Sequence, residues 1–286
     1  MISSGWANGP ENVAMRFGDT AITPTGVTSI LPLGGEAKFT RHDVDARLAG
    51  KVDCYWTFTV EKPSVEMRII PDGRVDLIFD LDIREAFIAG PNQRPFDVRH
   101  ERPTRLLGAT MSPEIASASL ETEIGATGGA WRTLDSVLGL FARQLTGRIA
   151  ACESDAARLA ALETFLLARV GAVDRRVSRA VAEIVRSSGR IGVATLSRDS
   201  GASPRNLTRL FDRWVGLPPK IFARIARAQE ALRRIQAIPS PNLKTLAAEL
   251  GFADQAHMSR ELKKITGVQP SQMSETFKRA SQIFKP

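Results

Sequence analysis

The sequence contains few of the residues on which metal, redox or disulfide chemistry depends. Two cysteines and three histidines occur among its 286 residues. Cys54 and Cys152 form neither a CxxC pair nor a zinc-binding spacing, which is typical of reduced thiols in a cytosolic protein. His42 and His100 are far apart and lack an HxH or HExxH pattern. We therefore expect no bound metal and no cofactor.

Long apolar runs and catalytic motifs are also missing. No stretch approaches the roughly 18 apolar residues of a membrane span, and residues 1–10 lack the segments of a secretory signal. We expect a cytoplasmic protein that does not contact a membrane. No GxSxG elbow or phosphate loop is present. Asp76, Asp80 and Asp82 alternate onto one face of a strand, where a solvated face is favoured over acid–base chemistry. The protein is not expected to be an enzyme.

The positive charge is concentrated at one end of the chain. The composition is ordinary for a globular protein, with a net charge of +8. Residues 173–286 contain 21 Lys and Arg against 9 Asp and Glu, whereas residues 1–172 contain 18 against 22. This distribution indicates one nucleic-acid-binding domain and one domain with another task.

The basic half contains one sequence unit twice, within residues 193–270. Residues 193–196 correspond to residues 243–246, and both copies continue through a glycine, Gly201 or Gly251. After the glycine the offset between the copies increases from 50 to 51 residues. Such self-similarity marks one supersecondary unit used twice. Each copy predicts a short helix, a turn and an amphipathic helix, which is the helix-turn-helix pattern that places its second helix in the major groove.

The second helix of each unit has one apolar face and one polar face. Ser203 and Asp254 are the predicted N-caps. The predicted DNA contacts on the polar faces are Arg205, Thr208, Arg209, Arg213, Gln255, Ala256, Ser259, Arg260 and Lys263. Arg and Gln suit the guanine and adenine edges of the major groove, whereas Arg213 and Lys263 are expected to neutralise phosphates. The alternative is a solvated surface charge at each position. The equivalent places of Arg209 and Arg260 in the two copies favour base reading.

A long helix is predicted between the two units, from Pro219 to about Ala237. Its apolar positions repeat at heptad-like spacing and form a single stripe for burial. About 20 residues at about 1.5 Å each span about 30 Å, close to the roughly 34 Å between successive major-groove faces. One chain is therefore expected to place two recognition helices in neighbouring grooves.

Residues 173–277 resemble the DNA-binding domain of the AraC/XylS family of bacterial transcription regulators. The residues that carry the resemblance are Leu207, Arg209, Phe211, Gly216, Pro218, Ile225, Leu246, Ala247, Leu250, Gly251, Phe252, Asp254, Gln255, His257, Ser259, Arg260, Gly267 and Pro270. The resemblance implies an all-α domain over residues 172–286, double-stranded promoter DNA as partner and contact with RNA polymerase if the protein is an activator. The sequence departs from the family pattern at two places. Ser200 stands in the first copy where Leu250 stands in the second, which predicts looser packing of the first unit. Met273-Ser274 replaces the aromatic-Arg ending that the family usually has.

The N-terminal half is predicted to be an α+β domain over residues 41–171, preceded by a poorly ordered leader at residues 1–40 that is rich in Gly, Thr, Pro and Ser. The predicted strands cover residues 52–60, 65–70, 75–81, 86–89 and 105–107, and the predicted helices cover 113–120, 131–145 and 155–170. Pro71-Asp72-Gly73 predicts a hairpin between the second and third strands.

The layout of residues 52–171 also resembles the N-terminal half of AraC-type regulators, through Ile70-Pro71-Asp72-Gly73, Leu77-Ile78-Phe79 and the Leu-rich helix before Gly171. This resemblance implies a small cupin-like β-barrel followed by helices that mediate dimer contacts. It also favours activation. Tyr55, Trp56 and Trp131 are candidates for stacking on a small-molecule effector, although aromatic residues in strands are more often part of the core.

The sequence thus predicts a sequence-specific transcription regulator, for which the resemblance implies a response to an effector and a homodimer. In one alternative, the N-terminal half is a protein-interaction or dimerisation module with no small ligand. A further alternative is an enzyme of the DNA-repair methyl-acceptor kind fused to a regulator. That enzyme would need a reactive, exposed cysteine in a basic setting.

Overall fold

The computed structural model describes residues 30–127, 131–238 and 241–273. Most of the predicted leader lies outside these residues, but its last part was predicted wrongly. β1 (Ile30–Gly34) and β2 (Ala37–His42) are strands, paired with later strands of the domain. Burial does not alternate along β2, and β1 begins within a segment rich in Gly, Thr and Pro, so neither strand gives a clear two-residue period.

The N-terminal strands form two antiparallel sheets. The further strands are β3 (Val52–Val60), β4 (Val65–Ile69), β5 (Val75–Asp80), β6 (Glu85–Ala89), β7 (Phe96–His100), β8 (Thr104–Met111) and β9 (Arg132–Thr133). One sheet has the order β1-β4-β7 and the other the order β2-β3-β8-β5-β6-β9. Hydrogen bonds among the described strands leave both sheets open, so the β-rich domain is not closed into a barrel.

The predicted hairpin around Pro71-Asp72-Gly73 is wrong. β4 pairs with β1 and β7, whereas β5 pairs with β6 and β8. The turn instead takes the chain from one sheet to the other, with Gly73 at φ +73° and the Asp72 carboxylate accepting the Arg74 N–H at 2.8 Å. A turn signal reports a change of direction but not which strands pair across it.

The six-stranded sheet buries both of its faces. Alternate residues of β5, such as Leu77 and Phe79, join a core with the helices that follow, whereas Ile78 joins a second core between the two sheets. These helices are α1 (Pro113–Leu120), α2 (Asp135–Leu138), α3 (Leu140–Ala151) and α4 (Asp155–Arg169). The continuous helix predicted over residues 131–145 is wrong. Its first residues pair as β9, and Gly139, at φ +54°, separates α2 from α3.

The C-terminal half is helical and has its own core. Its helices are α5 (Arg175–Arg186), α6 (Val193–Ser200), α7 (Pro204–Trp214), α8 (Pro219–Ala237), α9 (Leu243–Glu249) and α10 (Gln255–Thr266). The predicted fold class, an α+β domain followed by an all-α domain with two helix-turn-helix units joined by a long helix, is confirmed. None of the helices in the described ranges is long and apolar enough to cross a membrane.

The two halves pack against each other. Leu31 and Ile70 from the β-rich half belong to the core of the helical half. A short 3₁₀ helix, Ile124–Thr127, lies against α7, and the approach at Gly125 is so close that a β-carbon there would overlap the Asp212 carbonyl. The domain boundary near residue 171 stays a prediction.

Candidate DNA interface and N-terminal cavity

The first unit, α6 and α7, has the predicted caps and turn. The Ser203 hydroxyl accepts the Asn206 N–H at 3.3 Å, and Gly201 adopts φ +70° where α6 ends. Leu207 and Phe211 are fully buried on the inner face of α7. Because the cap and the buried face fix this helix, its outer side chains have a defined direction.

The second unit, α9 and α10, repeats this construction. The Asp254 carboxylate accepts the His257 N–H at 2.6 Å, Gly251 adopts φ +71°, and Met258 and Leu262 are fully buried. Ser200, which replaces the equivalent of Leu250 in the first unit, is buried. Its hydroxyl donates to the Ser197 carbonyl at 3.1 Å, so this polar group has a hydrogen-bond partner within its own helix.

The two recognition helices present equivalent positions. Arg209 and Arg260 are each the sixth residue of their helix, and both are exposed. Thr208 and Ser259 are each the fifth residue. Thr208 is exposed and donates to the Pro204 carbonyl at 3.0 Å, whereas Ser259 is half-buried. The register of the repeat is therefore retained in three dimensions.

The basic side chains predicted to contact DNA differ in the ion pairs and hydrogen bonds that they already form. Arg205, Arg260 and Lys263 are exposed and form no ion pair with any described residue. The Arg209 guanidinium donates to the Asn206 side chain at 3.0 Å. A DNA duplex could therefore contact Arg205, Arg260 and Lys263 without breaking an existing ion pair. Gln255 and Ala256 are exposed in the first turn of α10.

Arg213 is placed differently from the other predicted contacts. Its guanidinium lies 3.2 Å from the Glu123 carboxylate of the N-terminal half and 5.8 Å from the centre of the Trp214 ring. Both members of the pair are more than half exposed, so the pair is weak. A phosphate at this position would compete with Glu123 for Arg213.

The helix α8 contacts both recognition helices. Phe222 of α8 packs edge-to-face on Phe211 of α7, with ring centres 6.1 Å apart. Arg224 of α8 donates to Glu261 of α10 at 2.7 Å. The 19 residues of α8 span about 28 Å, close to the roughly 34 Å repeat of the major groove.

Two in-register helix-turn-helix units joined by one helix define a DNA-binding transcription regulator. Residues 196–276 match the family described as a helix-turn-helix domain, and residues 40–128 match a domain of unknown function, DUF6597. The first match supports an AraC-type DNA-binding domain in the C-terminal half. No curated protein matches the chain.

The chain is also similar to several solved structures. It is 28% identical to a probable AraC family transcriptional regulator from Rhodopseudomonas palustris CGA009, over 37% of this chain and 98% of that one, with a TM-score of 0.32. It is 23% identical to the C-terminal domain of AraT, a response regulator from Geobacillus stearothermophilus, over 36% and 86%, with a TM-score of 0.34. ToxT from Vibrio cholerae O395 is 9% identical over 87% and 96%, with a TM-score of 0.41.

A cavity of about 80 Å³ lies between the two sheets of the N-terminal half. Trp56 and Trp131, two of the three predicted ligand contacts, line it. Tyr55 does not, and this prediction is wrong. Its ring is buried in the other core, against the helices, because consecutive residues of β3 point to opposite faces of the sheet.

Several contacts fix the Trp56 ring at the wall of this cavity. Its indole N–H lies 3.2 Å from both the Asp76 carboxylate and the Thr110 hydroxyl, and the ring stacks on Phe39 at 5.9 Å. The ring occupies the space beside Gly108, where a β-carbon would overlap it. Trp56 is therefore a fixed aromatic surface with a polar edge.

Charged side chains that were not predicted as ligand contacts also line the cavity. Asp76 is half-buried, and burial together with the neighbouring Asp72 carboxylate raises its pKa to about 7. Arg41 lines the same space with its Nε enclosed, and the Arg74 guanidinium lies 2.6 Å from the Asp53 carboxylate.

The predicted solvated face for Asp76, Asp80 and Asp82 is wrong in part. Asp76 faces the cavity, and the Asp80 carboxylate is buried, 2.8 Å from the Arg102 guanidinium. Asp76 and Asp80 do share one face of β5, which the second sheet and its loops cover, whereas Asp82 lies in the turn after the strand, 2.9 Å from the Arg105 guanidinium.

The cysteines do not fit an alkyl-acceptor site. Burial raises the pKa of the Cys54 thiol to about 11, which disfavours the reactive thiolate. The half-buried Cys152 thiol donates to the Arg148 carbonyl at 3.3 Å. Within the described ranges, no group of three or more His, Cys, Asp or Glu side chains could hold a metal ion.

Proposed function

We propose that this regulator recognises a specific promoter sequence with α7 and α10 together. The proposal rests on Arg209 and Arg260, which occupy equivalent, exposed positions on two capped helices. The same linking helix, α8, contacts both of these helices. Arg205 and Thr208 would assist in the first groove, and Gln255 in the second. Ser259 would hydrogen-bond a base edge in the second groove, and Ala256 would pack against a thymine methyl group.

Phosphate contacts would set the position of the protein on the duplex. Lys263 is exposed and forms no ion pair among the described residues, so it is the stronger candidate for this role. Arg213 would contribute after leaving Glu123. Contacts of this kind orient the protein without carrying sequence information.

The experiment compares Arg260→Ala with the parent on a duplex selected from a random-sequence pool and on its scrambled counterpart. Loss of one bidentate contact should cost about 1–3 kcal/mol on the selected duplex and relax the preference there. Lys264→Ala is the matched control, because Lys264 already pairs with Glu261 at 2.9 Å. Equal losses on both duplexes would show that Arg260 contacts only the backbone.

The N-terminal half is proposed to sense a small effector in the cavity beside Trp56 and Trp131, with activation as the response. The cavity is mostly apolar and has polar groups at Asp76, Thr110 and Arg41, the usual composition of a small-molecule site. The test is a thermal-shift screen of the whole chain against small aromatic compounds and metabolites, since binding to the folded state raises the melting temperature. A reporter gene that carries the selected duplex would separate activation from repression.

A second candidate function for this half is protein interaction or dimerisation. Leu140 and Phe141 at the start of α3 are 62% and 47% exposed. A contiguous apolar patch on a surface is a candidate contact site. Sedimentation of the parent and of Leu140→Asp tests this candidate, which predicts a larger assembly for the parent and a monomer for the variant.

A further inference from the structure

One loop, residues 70–74, separates the N-terminal cavity from the DNA-binding half. Asp72 and Arg74 line that cavity and also line a second space of about 80 Å³ on the other side of the loop. The second space is bordered by Phe222 and Gln229 of α8. The same two side chains therefore reach both the cavity and the linking helix.

The neighbouring strands form an equally thin wall. Ile30 of β1 and Ile69 of β4 line the cavity, whereas the next residue in each case, Leu31 or Ile70, is buried in the core of the helical half. Consecutive residues of a strand point to opposite sides. One thickness of chain thus separates the cavity from the C-terminal core.

Two contacts attach this wall to α8. The Gln229 amide is buried and donates to the Pro71 carbonyl at 2.7 Å. The Phe222 ring lies against Gly73, so closely that a β-carbon there would be 2.9 Å from the ring. A displacement of the loop by a few tenths of an ångström would alter both contacts.

The cavity would have to enlarge to enclose an effector completely. Its volume of about 80 Å³ is smaller than the roughly 150 Å³ of a cavity that accepts benzene. Expansion through the six-stranded sheet would disturb the fully buried Leu77 and Phe79 against the helices. Expansion through β1, β4 and the loop displaces a three-stranded sheet and the contacts to α8.

We propose that effector binding and docking of α8 compete across this wall, an inference that rests on the proposed sensing function. A compact, largely apolar ligand with one hydrogen-bonding group, placed beside Trp56 and Asp76, pushes the loop outward and loosens α8. Because α8 contacts both recognition helices, the ligand thereby changes how the two units are presented to DNA.

The test uses the full chain without DNA and measures amide hydrogen exchange in residues 219–237. Ala89→Leu places extra volume in the cavity, since Ala89 lines it from β6. The matched control is Ala86→Leu on the same strand, where Ala86 faces the opposite core. A second arm titrates the parent with indole, whose N–H and ring suit the polar and aromatic walls.

Exchange in residues 219–237 should rise about fivefold or more in Ala89→Leu or with indole, the lower end of typical coupling between sites, and should stay at the parental value in Ala86→Leu. If Ala89→Leu fails to fold, the indole arm decides. Indole that binds at Trp56 and leaves this exchange unchanged overturns the coupling but not the effector site. No response in either arm overturns the coupling as well. These measurements do not depend on DNA binding. A failure of the proposed DNA recognition would therefore be detected separately, in the duplex-binding experiment.

Discussion

Adding a single methyl group at Gly73 should measure how tightly the two halves are packed. Gly73 has φ +73°, and its β-carbon would lie 2.9 Å from Cε2 of Phe222. Phe222 is 2% exposed and packs on Phe211, so its ring cannot move aside freely. Gly73→Ala is therefore expected to destabilise the protein through both its backbone angle and this overlap.

The two contributions can be separated with Gly50→Ala. Gly50 has the same φ of +73°, but no atom lies within 4 Å of the position that a β-carbon would occupy there. The backbone contribution, about 1–2 kcal/mol for an L-residue in this region, and the entropy change of the unfolded chain are common to both variants. Overpacking adds about 1–3 kcal/mol, which Gly73→Ala alone should show.

Urea unfolding followed by circular dichroism gives the two free energies of unfolding, provided that the dependence on urea is unchanged. The excess at Gly73 should shrink when Phe222→Leu is added, because the ring that the methyl group meets is then replaced by a smaller side chain. Equal losses in Gly73→Ala and Gly50→Ala would refute the tight packing between the loop and α8.

Three further outcomes are expected. Asp76 has its pKa raised from 3.8 to about 7 in the folded state, so the folded protein retains a proton that the unfolded chain releases. The free energy of unfolding should therefore decline as the pH rises from about 4 to about 7. Asp76→Asn should remove this decline, as measured by urea unfolding from pH 4 to pH 8. Asp254→Ala should lower the free energy of unfolding by about 0.5–2 kcal/mol through loss of the α10 cap, whereas Asp199→Ala, at an exposed site, should have little effect. DNA affinity should fall steeply with salt in a fluorescence-anisotropy titration, and a flat response would argue against phosphate contacts.

The repeat in the C-terminal half allowed an accurate prediction because its signals are local. Ser203 and Asp254 cap the helices that follow them, and Gly201 and Gly251 occupy the left-handed turns. A cap or a glycine turn depends on residues within one helical turn, so the sequence contains the complete cause. The buried face of each recognition helix follows from its own 3.6-residue period.

The N-terminal half was predicted less well because strand pairing is not local. The turn at Pro71-Asp72-Gly73 was recognised, but its flanking strands belong to different sheets. Tyr55 and Trp56 were both selected as aromatic, and the pleat directs them to opposite cores. The break at Gly139 was missed because the apolar spacing around it suits one longer helix.

The sequence by itself determined the two helix-turn-helix units, their caps, their register and the linking helix, since each depends on neighbours in the chain. The tertiary structure alone decided which strands form each sheet, which residues line the cavity and that Arg213 meets Glu123. It also placed the loop of residues 70–74 against Gln229 and Phe222, residues about 150 positions later. Contacts over such distances arise from the packing of complete domains, and no local pattern encodes them.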